Sequence, residues 1–262
     1  MILILDITNE KDITMMYEIE SKIGEEMRSS CWQLHRGGIC FDRYLCGNGL
    51  MDIFDYGKLI FWDNMPIGYA YIFSDECEFE LRVLPKYEEH FEEIISMLER
   101  QYQFGKDYII VANNKVGKLV KALSDLGYVK KEEERFQAMV CLNDLEIKEV
   151  DWVEERIEEY SEKFFSERVE YAYLPTGQKV TEKMFMDYLN SSEHGNALDY
   201  VIQDCKTKKY AGFLTWWMDL SNKTALLEPV ACLAEFRKRG IMKRSLESGF
   251  LELKKRGIEY AY

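Results

Sequence analysis

The same order of elements is spelled out twice along this chain, and that repetition constrains its fold more tightly than composition does. From Lys58 to Leu142 the hydrophobic pattern reads three strands, helix, strand, helix, strand. Leu59–Trp62 is an apolar run closed by the turn signal Asp63-Asn64, and Ile67–Phe73 follows as a second β-rich run. Phe79, Leu81 and Val83 alternate as a strand. Phe91, Ile94, Ile95, Leu98 and Tyr102 recur at helical spacing. Tyr108–Val111 is a short strand, Val116–Leu126 a helix stopped by Gly127, and Phe136–Leu142 the closing strand.

After Ala197 the order returns. Tyr200–Ile202, Tyr210–Met218 and Thr224–Leu233 read as strands, with Lys206–Lys209 and Asp219–Lys223 as turns. Met242, Leu246, Phe250 and Leu253 form a helical stripe that Gly257 ends, and Ile258, Tyr260 and Tyr262 alternate as a last strand. Gly68 and Gly212 stand at equivalent points 144 residues apart, and Tyr87 and Phe236 at points 149 apart. An internal duplication of roughly 145 residues accounts for both spacings. The expected architecture is α/β with mixed (α+β) sheets, in two domains, 1–143 and 144–262. The acidic stretch from Glu149 to Glu162 opens the second copy and reads as a solvated helix, with Trp152, Val153, Ile157 and Tyr160 on its apolar side. Met1–Ile7 is a β-rich run belonging to neither set.

The chain has 262 residues, 34 basic and 47 acidic, for a net charge of -13. That balance argues against nucleic-acid and anionic-membrane partners, which need basic surface, and favours a cationic substrate. No apolar run is long enough to span a bilayer, and Met1–Ile7 lacks the basic flank of a signal peptide. Seven scattered cysteines, an odd number, point to a reduced, cytoplasmic protein. Cys31, His35, Cys40 and Cys46 are separated by three, four and five residues, which matches no zinc pattern, so no metal is expected.

The chemistry is concentrated between Leu227 and Leu246. An apolar strand runs into Arg237-Lys238-Arg239-Gly240, and a helix begins at once. Such a turn lets backbone N–H groups converge where the helix adds its partial positive charge, which suits a pyrophosphate. From Arg237 to Arg256 there are eight basic and two acidic residues, so an anionic ligand explains a cluster that the rest of the chain opposes.

In this run the sequence resembles the GNAT superfamily of acyl-CoA-dependent N-acyltransferases, in a tandem form. The family signature R/Q-x-x-G-x-G/A reads here Arg237-x-x-Gly240-x-Met242, flanked by Glu228–Cys232 and by a long amphipathic helix. The resemblance implies acetyl-CoA as co-substrate. Backbone amides of Arg237, Lys238, Arg239, Gly240, Met242 and Lys243 would hold its pyrophosphate, and the strand edge at Val230, Ala231 and Cys232 would pair with its pantetheine amides. Met242 replaces a small residue and either crowds the phosphate or turns into the core. Glu228, read as sharing a strand face with Val230 and Cys232, is the candidate general base. Cys232 reads as a buried strand cysteine rather than an acyl carrier.

The first copy places Glu88, Glu89, Glu92 and Glu93 where the signature wants arginine and glycines, and Leu123 where the family has a tyrosine, so it reads as a degenerate CoA site. Relative to the family, the second copy lacks the usual C-terminal helix and strands. Its last strand is therefore expected to be covered by another element, such as Met1–Ile7 or a second protomer in a homodimer, the alternative being that the chain is a shortened form of a longer protein. The implied activity is acetyl transfer to a primary amine of a small molecule or peptide. The alternative is a catalytically inactive CoA-binding or protein-interaction module.

Overall fold

The computed structural model describes residues 1–27, 38–39, 53–73, 77–104, 108–113, 116–131, 138–152, 155–159, 182–191 and 194–262. The Cys31, His35, Cys40 and Cys46 group lies outside them, as do Phe136, Val153 and Tyr160. The chain divides into two compact units, the first built from residues 1–33 and 51–137, the second from 34–50 and 138–262.

In the first unit five strands lie in sequence order, β1 (Ile2–Asp6), β2 (Gly57–Trp62), β3 (Met65–Phe73), β4 (Glu78–Val83) and β5 (Ile109–Ile110). All neighbours are antiparallel except β4 and β5. Asp63 and Asn64, both at positive φ, make the two-residue hairpin between β2 and β3, as their residue types dictate. Met1–Ile7 is thus no orphan, because β1 pairs with β2 along its whole length. Helix α1 (Glu10–Met27) was not anticipated from the sequence. It buries Ile13, Met16, Tyr17, Ile19, Glu20 and Ile23. The Asp12 carboxylate accepts from the Thr8 and Asn9 amides, and Asn9 Oδ1 accepts from the Lys11 amide, satisfying donors at the helix start. Short α2 (Ile53–Tyr56) precedes β2, α3 (Phe91–Tyr102) follows β4, and α4 (Gly117–Asp125) follows β5.

The second unit repeats the plan and extends it. Its sheet runs β6-β11-β10-β9-β8-β7, where β6 is Val140–Cys141, β7 Glu155–Glu159, β8 Ala197–Asp204, β9 Tyr210–Asp219, β10 Thr224–Cys232 and β11 Tyr260–Ala261. Helix α5 (Glu182–Leu189) precedes β8 and α6 (Ile241–Lys255) follows β10. Strands β7 to β11 correspond in order and direction to β1 to β5.

Two sequence readings are corrected here. The acidic stretch after Glu149 contains a strand, β7, and not a solvated helix. Glu155 and Ile157 sit two apart in a period-2 element, and Glu155 is buried by ion pairs that no hydropathy pattern registers. Of the strand expected over Phe136–Leu142, the described part does not join the first sheet, since Val140 and Cys141 pair antiparallel with Ala261 and Tyr260 of the second. This pairing covers the last strand from within the chain. The cover is β6, not Met1–Ile7.

Gly68 and Gly212 are structural equivalents. Gly68 faces Val83 across the ladder and Gly212 faces Cys232. A Cβ on Gly68 would overlap the Arg82 carbonyl oxygen, and one on Gly212 the Ala231 carbonyl oxygen. Beyond each pinch the same bonds recur: Leu84 N–H donates to Ile67 and Leu233 N–H to Ala211, then Tyr87 N–H to Leu84 and Phe236 N–H to Leu233. The pinch fixes how each sheet delivers its chain to the following helix.

Helix α6 lies on the core of the second unit with Ile241, Ser245, Gly249 and Leu253 fully buried, a face rotated from the Met242–Leu246–Phe250 stripe, which is only half-buried. Small residues are inside because Gly249 abuts the Trp216 indole. No helix among the described residues is long and apolar enough to cross a membrane.

Gly68→Ala and Gly212→Ala should each destabilise the protein by about 1–3 kcal/mol in urea unfolding, the range for forcing a methyl into a closed contact. An unchanged midpoint for either would show that its strands do not need the close approach.

Candidate active site

Strand β10 pairs with β11 only at Thr224–Tyr260 and Ala225–Ala261, with a last bond from Leu227 N–H to the Tyr262 carbonyl. Past that point the ladder runs on the β9 side, to Cys232. Val230 is 46% exposed, and Ala231 and Cys232 are half-buried, so the edge proposed for pantetheine is reachable. A one-turn 3-10 segment, Ala234–Phe236, buries Phe236 and hands the chain to Arg237.

From there the backbone alternates sharply. Lys238 has φ 63 and Gly240 φ 74, and Gly240 is the N-cap of α6 with no side chain capping it. The first amides of a helix have no intrahelical acceptor, so those of Ile241, Met242 and Lys243 point out of the helix end. The turn has the form of an anion cradle. Of the six amides named from the sequence, that of Arg237 donates to the Ala234 carbonyl at 3.3 Å. Met242 packs against the hydrophobic core, so the larger residue in the signature turns inward and leaves the turn clear.

The cationic cluster is less available than its count suggests. Arg239 pairs with the buried Glu155 at 2.7 Å and with Asp204 at 3.4 Å, and Arg244 pairs with the other oxygen of Glu155. The Thr207 amide and hydroxyl, followed by Arg239, hold the Asp204 carboxyl below the usual carboxylate range. Lys254 donates to the Leu145 carbonyl, while Lys255 and Arg256 both pair with Glu252. Arg237, Lys238 and Lys243 remain exposed at the turn, although Arg237 Nε also donates to the Cys232 carbonyl at 3.1 Å and Lys243 stands 3.9 Å from Glu247.

Glu228 is exposed, but not where strand alternation puts it. The register of β10 against β9 shifts between Leu227 and Val230, so Glu228 and Pro229, joined by a cis peptide, together oppose Thr215. A bulge of one residue reverses the faces beyond it. Val230 and Cys232 therefore share a face with Leu214 and Gly212, whereas Glu228 stands opposite Thr215. On the Thr215 side the sheet carries a buried polar set absent from the sequence reading. Thr215 Oγ1 and Tyr188 OH both donate to Asp199, at 2.8 and 3.3 Å, and Trp217 Nε1 donates to the Glu228 carbonyl. His194 packs edge-on against Tyr188, which in turn meets Trp217. The pairing of Asp199 with Thr215 across β8 and β9 is long-range, which is why no local motif announced it.

The first unit lacks this cradle. Its chain passes from β4 through a continuous 3-10 helix, Pro85–His90, into α3, and the Phe91 amide is taken by the Glu88 carbonyl. Burial pushes the Glu88 carboxyl up, and its acidic neighbours add to this against the pull of Lys118. At the position of Ala231 stands Arg82, buried and paired with Glu80.

No protein-family model and no curated protein sequence matches this chain. Solved structures do. The tandem GNAT protein of the clavulanic acid biosynthesis pathway aligns over 100% of this chain and 89% of its own, with a TM-score of 0.54 at 10% identity. A GCN5-related N-acetyltransferase from Sphaerobacter thermophilus aligns over 99% and 85%, at 0.52 and 11%. The N-myristoyltransferase of Saccharomyces cerevisiae aligns over 99% and 71%, at 0.53 and 11%. The chain has the tandem GNAT fold. At such identities the likeness is one of fold.

Burial raises the pKa of the Cys232 thiol, opposed by Arg237 and Arg239. A raised thiol pKa means less thiolate at neutral pH, which suits a strand residue and not a nucleophile. Iodoacetamide should therefore alkylate Cys232 more slowly than free cysteine between about pH 7 and 8.5, followed by peptide mass spectrometry. Faster labelling would contradict the assignment.

Proposed function

We propose that this protein is an N-acetyltransferase that moves an acetyl group from acetyl-CoA to a primary amine of a small molecule or peptide. The observation that carries the reading is the uncapped turn Arg237–Lys243, with left-handed Lys238 and Gly240 opening onto a helix N-terminus at the end of a half-open strand. The fold supports it, since the matching tandem and GCN5-related proteins are GNAT proteins. The residues present fit acetyl-CoA. The turn offers amides and Arg237, Lys238 and Lys243 to phosphates, Val230–Cys232 offers an extended edge to amides, and Met242 is out of the way.

Acetyl-CoA supplies an activated acyl carbon, and transfer exchanges its C–S bond for a C–N bond while the amine gives up a proton. Glu228 is the group assigned to accept that proton, directly or through water. It is exposed beside the strand edge, and its carbonyl is held by the Trp217 indole, which fixes the backbone from which it projects. The acidic chain favours a cationic acceptor that loses its charge before attack. The second unit carries this chemistry, and the first, with glutamates in place of the signature, does not. The protein is proposed to work in the cytoplasm.

Thiol release from acetyl-CoA across a panel of amines separates this enzyme from a catalytically inactive CoA-binding module. Glu228→Gln should lower turnover by roughly 10²–10⁴-fold with CoA binding nearly intact. Unchanged turnover would remove Glu228 from the mechanism. Gly240→Ile should abolish CoA binding in calorimetry, because a β-branched residue cannot hold the positive φ of the turn. Normal binding by that variant would overturn the site.

A further inference from the structure

Glu155 takes no part in acyl transfer, yet it is built into the same end of the sheet. It stands on β7, 1% exposed, with its two oxygens divided between Arg239, at 2.7 Å, and Arg244. Arg244 also donates Nη1 to the Arg239 carbonyl oxygen at 3.1 Å, which ties the carboxylate to the backbone of the turn itself. Both arginines are held from their other sides, Arg239 over the Phe236 ring at 5.3 Å and Arg244 over the Trp152 ring at 5.5 Å. For a turn that is to receive phosphate, a buried carboxylate close by is unfavourable on charge alone. Its contribution has to lie in geometry.

We infer that Glu155 is a positioning residue for the phosphate-binding turn. Its carboxylate locks Arg239 and Arg244, and through the Arg239 carbonyl it holds the 238–240 backbone in its anion-accepting form. The charge of the phosphates is then met by Arg237, Lys238 and Lys243. Arg239 and Arg244, though part of the basic cluster, act as struts. This inference rests on the CoA reading above.

The test is equilibrium binding of CoA and of pantetheine, the phosphate-free arm of CoA, to the intact wild-type chain and to Glu155→Gln, with thermal unfolding recorded for both. Wild-type protein that bound no CoA would sink the cofactor reading and this inference with it. Given binding, Glu155→Gln should weaken CoA by about tenfold or more, since a displaced turn loses several amide contacts at once. Pantetheine affinity should stay within about twofold, because its contacts lie along β10. Tighter CoA binding would mean that Glu155 acts only as a repelling charge, and equal losses for both ligands would mean a general structural role. Either result overturns the inference. Should the single variant fail to fold, Glu155→Gln combined with Arg244→Met keeps the net charge and leaves no guanidinium stranded. The same weakening of CoA is expected there, and wild-type affinity in that folded double variant would refute the positioning role.

Discussion

Parallel strands that pair briefly and then separate are the constraint on which the rest of the second unit depends. β10 and β11 share two residue pairs before they part. From Glu228 onward β10 carries polar backbone whose ladder partners lie only on the β9 side. Exposed strand edges invite pairing, and here the edge leads straight into a turn that gathers amides. An extended chain bearing amide groups and ending in phosphates is the ligand that we propose for that surface. The first unit makes the same parting after Glu78 and Phe79, on the same glycine pinch, and then diverges in its chemistry.

That divergence is local and electrostatic. In the first unit the residues after the pinch wind immediately into a 3-10 helix, so carbonyls consume the amides that would otherwise converge, and glutamates surround the helix start. In the second, two left-handed residues delay the helix and keep the amides turned outward. Gly240 adopts that conformation at little cost, while Lys238 does so against its preference. The ion pair of Glu155 with Arg239 and the hydrogen bond from Arg244 to the Arg239 carbonyl oxygen hold the residue that follows it. A residue held in a sparsely populated conformation costs of order 1–3 kcal/mol, a cost that ties to a buried carboxylate can offset.

Most strands and the helix after each pinch were legible in the sequence because their apolar periods are clean and their turns carry Asp63-Asn64, Gly127 and Gly257. The duplication was legible through two glycines that physical crowding explains. What escaped depended on pairings distant in sequence. α1 was hidden by its polar face, although Asn9 and Asp12 mark its start. β7 looked like a charged helix because the partners that bury Glu155 lie about 85 residues away. The transfer of Val140 and Cys141 to the second sheet is a choice between two edges that no local pattern can make. The candidate site is a continuous run in the sequence, Glu228 to Lys243, yet the bulge at Glu228–Pro229 reverses its faces, since one extra residue leaves composition intact and changes every side beyond it.

The same accounting revises the meaning of the basic cluster. Counted along the chain, Arg237 to Arg256 is a strongly cationic patch in an acidic protein. In the fold, Arg239, Arg244, Lys254, Lys255 and Arg256 are engaged by carboxylates or carbonyls of the chain itself. At the turn itself the exposed basic side chains are Arg237, Lys238 and Lys243, with Arg239 partly exposed, while Lys255 is exposed at the far end of the helix. A diffuse basic face would attract any polyanion. Basic side chains gathered about one turn instead favour a small and multiply charged group at one place. For the acetyl-CoA that we propose as ligand, a preference for a compact phosphate group over a nucleic acid would follow from how the arginines are tied down as much as from how many there are.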